Sequence, residues 1–403
     1  MKAVVFHGLG DIRLDDVDDP SIEDDTDAIV RITSSAICGT DLHFVRGTMA
    51  GMRPGTILGH EGVGVIEEVG RGVRNLKKGD RVVIPSTIGC GWCSYCRAGY
   101  YAQCDNANPN GPQAGTAFFG GPEATGPFDG LQAEFARIPY ANVGPVRLPD
   151  EVDDEQALLL SDIYPTAWFA ARLADITLGD TVAVFGCGPV GLFSIVSALQ
   201  QGAGRVIAVD QHESRLDMAR DAGAEVVDFQ KEDPIDAIRS LTGGIGVDRA
   251  IDAVGVDAER VHEGPGKDRT ETSAEEFDRE VDEVAPERPD DDDWQPGDAP
   301  TQALRWAVRA LAKAGTLSIV GVYPPQAHSF PIGEAMNKNL TLKMGNCNHR
   351  RYLPDLVERV RTGGVDPKKV LTQREPVTGA IEAYEAFNRR EPGWVKVELQ
   401  PAA

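Results

Sequence analysis

The sequence lacks any apolar run that approaches the roughly 20 residues needed to cross a bilayer. The run at residues 1–8 is too short for a secretory signal, so we predict a cytoplasmic protein without a membrane partner. Basic residues are also scarce, because 40 Lys and Arg stand against 63 Asp and Glu and leave a net charge of -23. Such a charge repels phosphate backbones, so nucleic acid is not an expected partner.

Cysteine is sparse as well, with seven residues in a chain of 403. Four of the seven fall within 15 residues, which is typical of metal ligands in a reducing compartment and argues against a disulfide framework. Hydrophobic residues make up 41% of the chain, so general disorder is excluded. The length allows two or three domains, each with its own core.

The apolar pattern divides the chain into a β-rich part and an alternating part. Residues 1–155 hold short β-like runs between glycines, at 28–33, 63–69 and 80–84. Residues 156–346 alternate helical segments with Val- and Ile-rich runs, at 181–185, 205–209, 225–228, 248–252, 316–320 and 339–343. Such runs are typical of parallel strands buried on both faces. We therefore predict an α/β protein with a β-rich domain, rejoined by residues 347–403, and a doubly wound domain.

One stretch of the second domain, residues 257–298, has a different composition. It contains 17 acidic and 5 basic residues, few aliphatic ones and the run Asp290-Asp-Asp-Asp293. Low hydrophobicity combined with charge of one sign predicts a solvated, mobile insertion rather than a third domain.

A glycine-rich turn follows the run at 181–185 and opens a helical segment at 190–201. Its G-x-G-x-x-G spacing allows a tight turn, a close approach of the backbone to a pyrophosphate, and close packing of the helix on the strand. The residues expected to bind a dinucleotide here are Gly186, Gly188, Pro189, Val190 and Gly191.

The second strand of this unit ends at Asp210, 19 residues beyond Gly191. A carboxylate there can accept hydrogen bonds from ribose hydroxyls, which favours NAD over a cofactor with a 2'-phosphate. Arg215 could offset that charge and admit NADP. The alternative interpretation is an ordinary glycine-rich turn followed by a surface carboxylate.

A four-cysteine lobe, predicted at residues 88–106, contains Cys90, Cys93, Cys96 and Cys104. Four thiolates can close a tetrahedron around one zinc and leave no position for substrate, as in structural zinc sites. An iron–sulfur cluster and a redox dithiol are the alternatives, disfavoured by the single pattern and by the fourfold set.

Two further segments, Cys38-Gly-Thr-Asp-Leu-His43 and Gly-His60-Glu61-Gly, supply a thiol, imidazoles and a carboxylate. Each alone is more often part of a core. In combination with the four cysteines and the glycine-rich turn, they make the chain resemble the zinc-dependent medium-chain alcohol dehydrogenases over nearly its whole length.

The resemblance implies a GroES-like catalytic domain, a Rossmann cofactor domain and two zinc ions per chain. It places the catalytic zinc on Cys38 and His60 with Glu61 beside it. Many members add a cysteine near the start of the cofactor domain, where this chain has Asp162. That aspartate, and the irregular acidic insertion, are similar to the glutathione-independent formaldehyde dehydrogenases, which use a Cys, His and Asp set. The alternative for Asp162 is a helix cap.

The same resemblance assigns roles in catalysis. Zinc would polarise the oxygen of an alcohol or aldehyde hydrate while a hydride passes to NAD. Thr40 would hydrogen-bond the zinc-bound oxygen and pass the proton through the cofactor ribose to His43 near solvent. Lys396 would place a cation near the pyrophosphate. The alternatives are a turn threonine, a packed histidine and an edge-strand lysine.

We therefore expect an NAD-dependent zinc oxidoreductase acting on formaldehyde or another small primary alcohol or aldehyde hydrate. A polyol, sugar or threonine dehydrogenase of the same family is the second hypothesis, and a non-catalytic NAD-binding sensor is the third. The family habit implies a homodimer or homotetramer.

Overall fold

The computed structural model describes residues 1–111, 114–126, 128–262, 267, 272–289 and 293–401. They form two compact units. The first unit consists of Met1–Pro165, Pro289–Trp294 and Asn346–Ala403, and the second of Thr166–Arg288 and Gln295–Gly345. The domain boundaries expected near residues 155 and 347 stay predictions.

Strands dominate the described chain up to residue 150, and helices alternate with strands after it. In chain order the strands are β1 (Lys2–Gly8), β2 (Asp11–Asp16), β3 (Ala28–Ile37), β4 (Gly62–Val69), β5 (Arg81–Ile84), β6 (Phe135–Ile138), β7 (Val146–Arg147), β8 (Thr181–Phe185), β9 (Arg205–Asp210), β10 (Glu225–Asp228), β11 (Val247–Asp252), β12 (Leu311–Ile319), β13 (Thr341–Met344), β14 (Gln373–Pro376) and β15 (Val397–Gln400). The helices are α1 (Gly39–Arg46), α2 (Ser94–Arg97), α3 (Asp154–Ser161), α4 (Ile163–Leu173), α5 (Pro189–Gln200), α6 (Glu213–Asp221), α7 (Pro234–Leu241), α8 (Ala274–Val284), α9 (Gln302–Ala310), α10 (Ile332–Asn337), α11 (His349–Arg361) and α12 (Ala380–Asn388).

The first unit is built on a mixed seven-stranded sheet in the order β14-β15-β3-β4-β5-β7, with β6 also paired to β3. β3 is the organising strand, because it pairs antiparallel with β4, β6 and β15. Its apolar residues alternate into a buried core, which Val30 and Ile32 share with Ile66 of β4.

The second unit holds a six-stranded parallel sheet in the order β10-β9-β8-β11-β12-β13. Its central strands are almost wholly buried, as expected for apolar runs covered by helices on both faces. The strand order reverses between β8 and β11, and ligands of open α/β sheets bind at the carboxyl ends of strands beside such a reversal. The predicted fold class is confirmed in both units.

Two strands extend beyond their sequence patterns. β12 begins at Leu311 rather than at the apolar run near 316, because Leu311 already pairs with Val247 of β11. The register then shifts, and regular pairing with β11 covers Thr316–Ile319. The irregular part includes Ala314, whose φ is 62°. β3 continues to Ile37, and this extension carries the chain directly to Cys38.

The acidic insertion contains an ordered helix where the composition predicted a solvated segment. Helix α8 has Phe277, Glu280 and Val284 on a buried face, and Arg305 pairs with Glu280 at 3.0 Å. These buried residues and this ion pair hold α8 against the rest of the second unit, although most of its residues are polar. Residues 290–292 of the aspartate run lie outside the described residues. The mobility of the insertion stays a prediction.

Within the described ranges, the longest helix is α11, with 13 residues and many charged side chains. No described helix has both the length and the apolar character needed to cross a membrane.

Candidate functional site

Four buried side chains of the first unit meet where β3 ends and β4 begins. One ligand atom each of Cys38, His60, Glu61 and Asp162 lies within 4.8 Å of all the others. Antiparallel pairing explains part of this convergence, because Ser35 near the end of β3 opposes the first residue of β4. Asp162 enters from the break between α3 and α4.

The spacing of these atoms suits a single tetrahedral ion. A tetrahedral zinc with bonds of about 2.0–2.1 Å to nitrogen or oxygen and 2.3 Å to sulfur places its ligand atoms about 3.3–3.8 Å apart. Oδ2 of Asp162 lies 3.4 Å from Nε2 of His60 and 3.8 Å from Sγ of Cys38. The predicted trio is therefore brought together at separations that an ion of this size can span.

The charge balance of the cluster also suits a cation. The carboxylates of Asp41, Glu61 and Asp162 are all buried here, and Lys396 is a buried ammonium that faces one of them. Oε2 of Glu61 is buried and has no hydrogen-bond partner among the described residues. Buried anions are normally paired or coordinate a metal, so this donor set fits a divalent cation.

Neighbouring charges keep two of the candidate ligands in charged forms when no metal is bound. Burial raises the pKa of Asp162, but hydrogen bonds from His349 and His60 outweigh that effect and hold the pKa well below its usual range. Burial likewise disfavours the imidazolium of His60, yet the negative charge of Asp41 and the Cys38 sulfur raise its pKa well above normal.

Asp41 supports the cluster although sequence reasoning assigned it no role. Its Oδ2 accepts a hydrogen bond of 2.9 Å from the backbone N–H of Cys38, and its Oδ1 lies 3.2 Å from Nδ1 of His60. Asp41 is the third residue of α1, where an acidic side chain reaches back to the residue before the helix. The capping pattern in Cys-Gly-Thr-Asp was the signal that could have identified it.

Lys396 contacts the cluster through Glu61, a contact that sequence reasoning did not predict. Its side chain is fully buried just before β15, and Nζ donates to Oε1 of Glu61 at 2.6 Å and to the carbonyl of Ile37 at 3.0 Å. Burial alone would lower its pKa, but the Glu61 carboxylate outweighs that effect and raises it. The predicted pyrophosphate contact stays a prediction. The alternative of a plain edge-strand lysine does not hold, because the ammonium is buried against a carboxylate and β15 lies between β14 and β3.

Thr40 and His43 both lie on α1, one turn apart, directly after Cys38. Thr40 is half-buried, whereas His43 is buried and its Nδ1 lies 2.7 Å from Oγ1 of Thr48. The expectation that His43 lies near solvent is wrong, because α1 is buried on all sides from Asp41 to Arg46. The catalytic roles of both residues stay predictions.

His349 joins the cluster although its position in the sequence gave no ligand spacing. Its Nε2 lies 2.7 Å from Oδ1 of Asp162, and Ser86 donates to the same oxygen at 3.1 Å. The pair spans 187 positions of the chain, so no local pattern could have revealed it.

The four-cysteine lobe converges as its spacing predicted. Sγ atoms of Cys90, Cys93, Cys96 and Cys104 lie within 4.8 Å of one another, and those of Cys93 and Cys104 are 3.9 Å apart. These separations match a single ion and exceed a disulfide bond of about 2.05 Å. None of the seven cysteines, all of which lie in the described ranges, forms a disulfide bond.

Backbone amides point at the sulfurs of this lobe. Sγ of Cys90 accepts from the N–H groups of Trp92 and Cys93, both at 3.4 Å, and Sγ of Cys104 accepts from the N–H of Cys90 at 3.2 Å. The hydrogen bond from Cys96 lowers the pKa of the Cys104 thiol to about 4. The same contact raises the pKa of the Cys96 thiol, and burial raises that of Cys90, so among these three sulfurs only Cys104 is biased toward thiolate, the form that binds metal.

The glycine-rich turn of the second unit links β8 to α5. A Cβ at Gly191 would lie 1.8 Å from the carbonyl oxygen of Gly186, whose own φ is 89°. Neither position tolerates a side chain, so the helix packs tightly against the turn. A Cβ at Gly188 would meet nothing within 4 Å, which leaves open space above the start of the helix where Pro189 and Val190 follow.

Asp210 ends β9 beside this turn. Its Oδ2 accepts from the N–H of Cys187 at 2.7 Å, and its Oδ1 accepts from the N–H groups of Gln211 and His212 at 2.8 and 2.9 Å. The carboxylate is thereby held against the glycine-rich turn, and its contact with a ribose stays a prediction. Arg215, half-buried on α6, is close enough to oppose the rise that burial causes in the pKa of Cys187.

Family models match both units. Residues 24–150 match the alcohol dehydrogenase GroES-like domain, and residues 189–260 match the zinc-binding dehydrogenase model. These matches and the two folds define an oxidoreductase of the zinc-dependent, alcohol dehydrogenase-like class.

Full-length relatives extend the match. An uncharacterized zinc-type alcohol dehydrogenase-like protein, AdhB of Bacillus subtilis, is 36% identical over 416 residues and covers all of both chains. Among solved structures, alcohol dehydrogenase TADH from Thermus sp. ATN1 is 31% identical, with a TM-score of 0.80 and complete coverage of both chains. The chain therefore belongs to the zinc-type medium-chain alcohol dehydrogenase family.

The formaldehyde dehydrogenase branch has narrower support. A glutathione-independent formaldehyde dehydrogenase of Pseudomonas aeruginosa is 37% identical over 268 residues, covering 64% of this chain and 66% of that protein. Membership of the family thus rests on the full-length relatives. Assignment to the formaldehyde dehydrogenase branch belongs to the proposed function.

Proposed function

We propose that the chain oxidises a small primary alcohol or aldehyde hydrate, of the formaldehyde type, with NAD as the hydride acceptor. The observation that carries the proposal is the buried convergence of Cys38, His60 and Asp162 at separations that suit one zinc ion. A sensor without catalysis would have no use for this buried set of anionic ligands in addition to its nucleotide fold.

The protein's own groups would hold both cofactors. Cys38, His60 and Asp162 would bind the catalytic zinc, with Glu61 beside it as a transient ligand, and the four-cysteine lobe would bind a structural zinc. The catalytic zinc would supply an electrophile for the substrate oxygen, and NAD bound at the glycine-rich turn would supply the hydride acceptor.

Nearby side chains would handle protons and charge. Thr40, two residues after Cys38 and half-buried, would relay the hydroxyl proton of the substrate by accepting it while donating its own proton to the ribose of NAD. His43, with Thr48 at its Nδ1, would carry that proton onward. Lys396 neutralises Glu61, so this carboxylate stays within the cluster without acting as the base.

A substrate panel tests the proposal. Purified protein with zinc and NAD should show its highest kcat/KM with formaldehyde or a short primary alcohol, and formaldehyde hydrate should yield one NADH and one formate per turnover. We expect kcat/KM to be lower by about 100-fold or more with sorbitol, glucose, 2,3-butanediol and threonine. These substrates are larger, and a site fitted to a small substrate gains no transition-state binding from their extra hydroxyls. A polyol, a sugar or threonine leading the panel by a similar margin would move the chain to the second hypothesis, and no turnover of any substrate would favour the sensor.

Cofactor choice should depend on Asp210. We expect Asp210→Ser to raise KM for NAD and to shift the NAD to NADP ratio of kcat/KM by about 100-fold toward NADP, because the carboxylate that favours ribose hydroxyls and repels a 2'-phosphate is removed. Steady-state kinetics with both cofactors measures this ratio.

Asp228 provides a matched control for that variant. It ends the neighbouring strand β10 and stands opposite Asp210 in the parallel register, but its carboxylate pairs with Lys231 at 2.9 Å. Asp228→Ser should leave the cofactor ratio unchanged. Equal shifts in both variants would mean that Asp210 acts only through the general charge of this edge of the sheet.

A further inference from the structure

The two oxygens of Asp162 have different partners. Oδ2 lies toward the cluster, 3.4 Å from Nε2 of His60 and 3.8 Å from Sγ of Cys38. Oδ1 lies 2.7 Å from Nε2 of His349 and accepts the hydroxyl of Ser86 at 3.1 Å. One oxygen is thus directed to the metal ligands while the other is held by hydrogen bonds.

The ring of His349 is itself fixed at its second nitrogen. Nδ1 lies 3.0 Å from Oγ1 of Thr87, and the whole imidazole is buried. An ionised carboxylate can only accept hydrogen bonds, so Nε2 must carry the hydrogen that faces Asp162. A threonine hydroxyl can then donate to Nδ1, and this tautomer satisfies both ring nitrogens.

The backbone that carries His349 is anchored on both sides. Oδ1 of Asn348 accepts from the N–H of Ala102, in the four-cysteine lobe, at 3.0 Å. Nε of Arg350 donates to the carbonyl of Val143 at 2.5 Å. Helix α11 therefore starts at a place set by neighbouring loops of the same unit, and its first side chain reaches Asp162 from a rigid base.

We propose that His349 is a positioning residue for the catalytic metal: it holds Oδ1 of Asp162 so that Oδ2 alone is offered as a ligand. The inference rests on the proposed function, because it takes Asp162 to be a zinc ligand. Without the donor, the carboxylate is free to rotate and must lose that freedom each time the ion binds. Hydrogen-bonding partners of metal ligands commonly contribute 10- to 100-fold in metal affinity.

Substitutions at His349 test the inference through metal retention. Zinc per chain is measured while the purified protein is titrated with a chelator, and the ion that Asp162→Ala fails to hold defines the catalytic site. His349→Leu, which removes the donor, should release that ion at a chelator concentration lower by about 10- to 100-fold. His349→Gln, whose amide can still donate to Asp162, should restore retention toward that of the unchanged protein.

A second variant guards against misfolding. His349→Asn keeps a polar group near Thr87 but is too short to reach Asp162, so it should lose the ion as His349→Leu does. His7→Leu is the matched control, because Nε2 of His7 also lies 2.7 Å from an aspartate oxygen, that of Asp15. This pair belongs to the β1–β2 hairpin and includes none of the proposed metal ligands. That variant should retain both ions.

The outcomes separate this inference from the proposed function. Folded His349→Leu and His349→Asn proteins that keep the ion as firmly as the unchanged protein would overturn the positioning role alone. If the unchanged protein holds no ion that Asp162→Ala loses, the proposed function itself fails and this inference falls with it. Loss of the ion in both variants, with rescue by glutamine, supports the positioning role.

Discussion

Asp162→Ala should lose one zinc per chain and lower kcat by about 1,000-fold or more. The substitution leaves Cys38 and His60 as the remaining ligands of the trio, while Glu61 stays paired to Lys396. A Lewis-acid metal contributes several kcal/mol to the barrier, and each 1.4 kcal/mol corresponds to a tenfold rate. Elemental analysis and steady-state kinetics on the same preparation measure both effects.

Two further variants serve as comparisons for Asp162→Ala. Asp162→Cys should keep the ion and part of the activity, because a thiolate is an equally good zinc ligand. Asp153→Ala removes the cap at the other end of the same helix, where the side chain accepts from the N–H of Gln156 at 2.8 Å. It should cost about 1 kcal/mol of stability and no zinc. Equal behaviour of the two alanine variants would return Asp162 to the role of a helix cap.

Cys93→Ser should remove the other zinc and destabilise the first unit. A closed four-thiolate site stabilises the loop that binds it, since metal binding free energy is also folding free energy. We expect a loss of about 4 kcal/mol, or on the order of 10 °C in Tm. Thermal unfolding with parallel zinc analysis measures the two changes together.

Cys347→Ala is the control for this second prediction. Cys347 is a buried thiol of the same unit that lies outside both ligand groups. Its truncation should keep two zinc ions and shift Tm by much less than Cys93→Ser does. A Cys93→Ser protein that retains both ions and the original Tm would contradict the prediction, because it would show that the metal does not need Cys93.

Local sequence patterns predicted much of the fold. β8 matches its predicted bounds, because a strand buried inside a parallel sheet requires a continuous apolar run. β10 also matches its predicted bounds, although it is an edge strand in which only Val227 is buried. The glycine-rich turn and the four cysteines were equally readable, since each function depends on residues a few positions apart. β3 and β12 were underestimated where side chains within the strands interrupt the apolar pattern.

Long-range contacts explain what sequence reasoning missed. Lys396 meets Glu61 across 335 positions, and His349 meets Asp162 across 187. A lysine is usually exposed, so nothing in its own neighbourhood indicated that the buried Glu61 carboxylate would hold it inside. Likewise, the burial of His43 follows from the packing of α1, which a single-sequence pattern cannot specify.

The most direct test is the anomalous scattering of a crystal of the zinc-loaded protein, measured on both sides of the zinc absorption edge. Our account requires one peak within about 2.0–2.3 Å of Cys38 Sγ, His60 Nε2 and a single oxygen of Asp162, and a second peak enclosed by the four cysteines. A zinc peak at the cysteines alone, with no density for an ion among residues 38, 60 and 162, would contradict it.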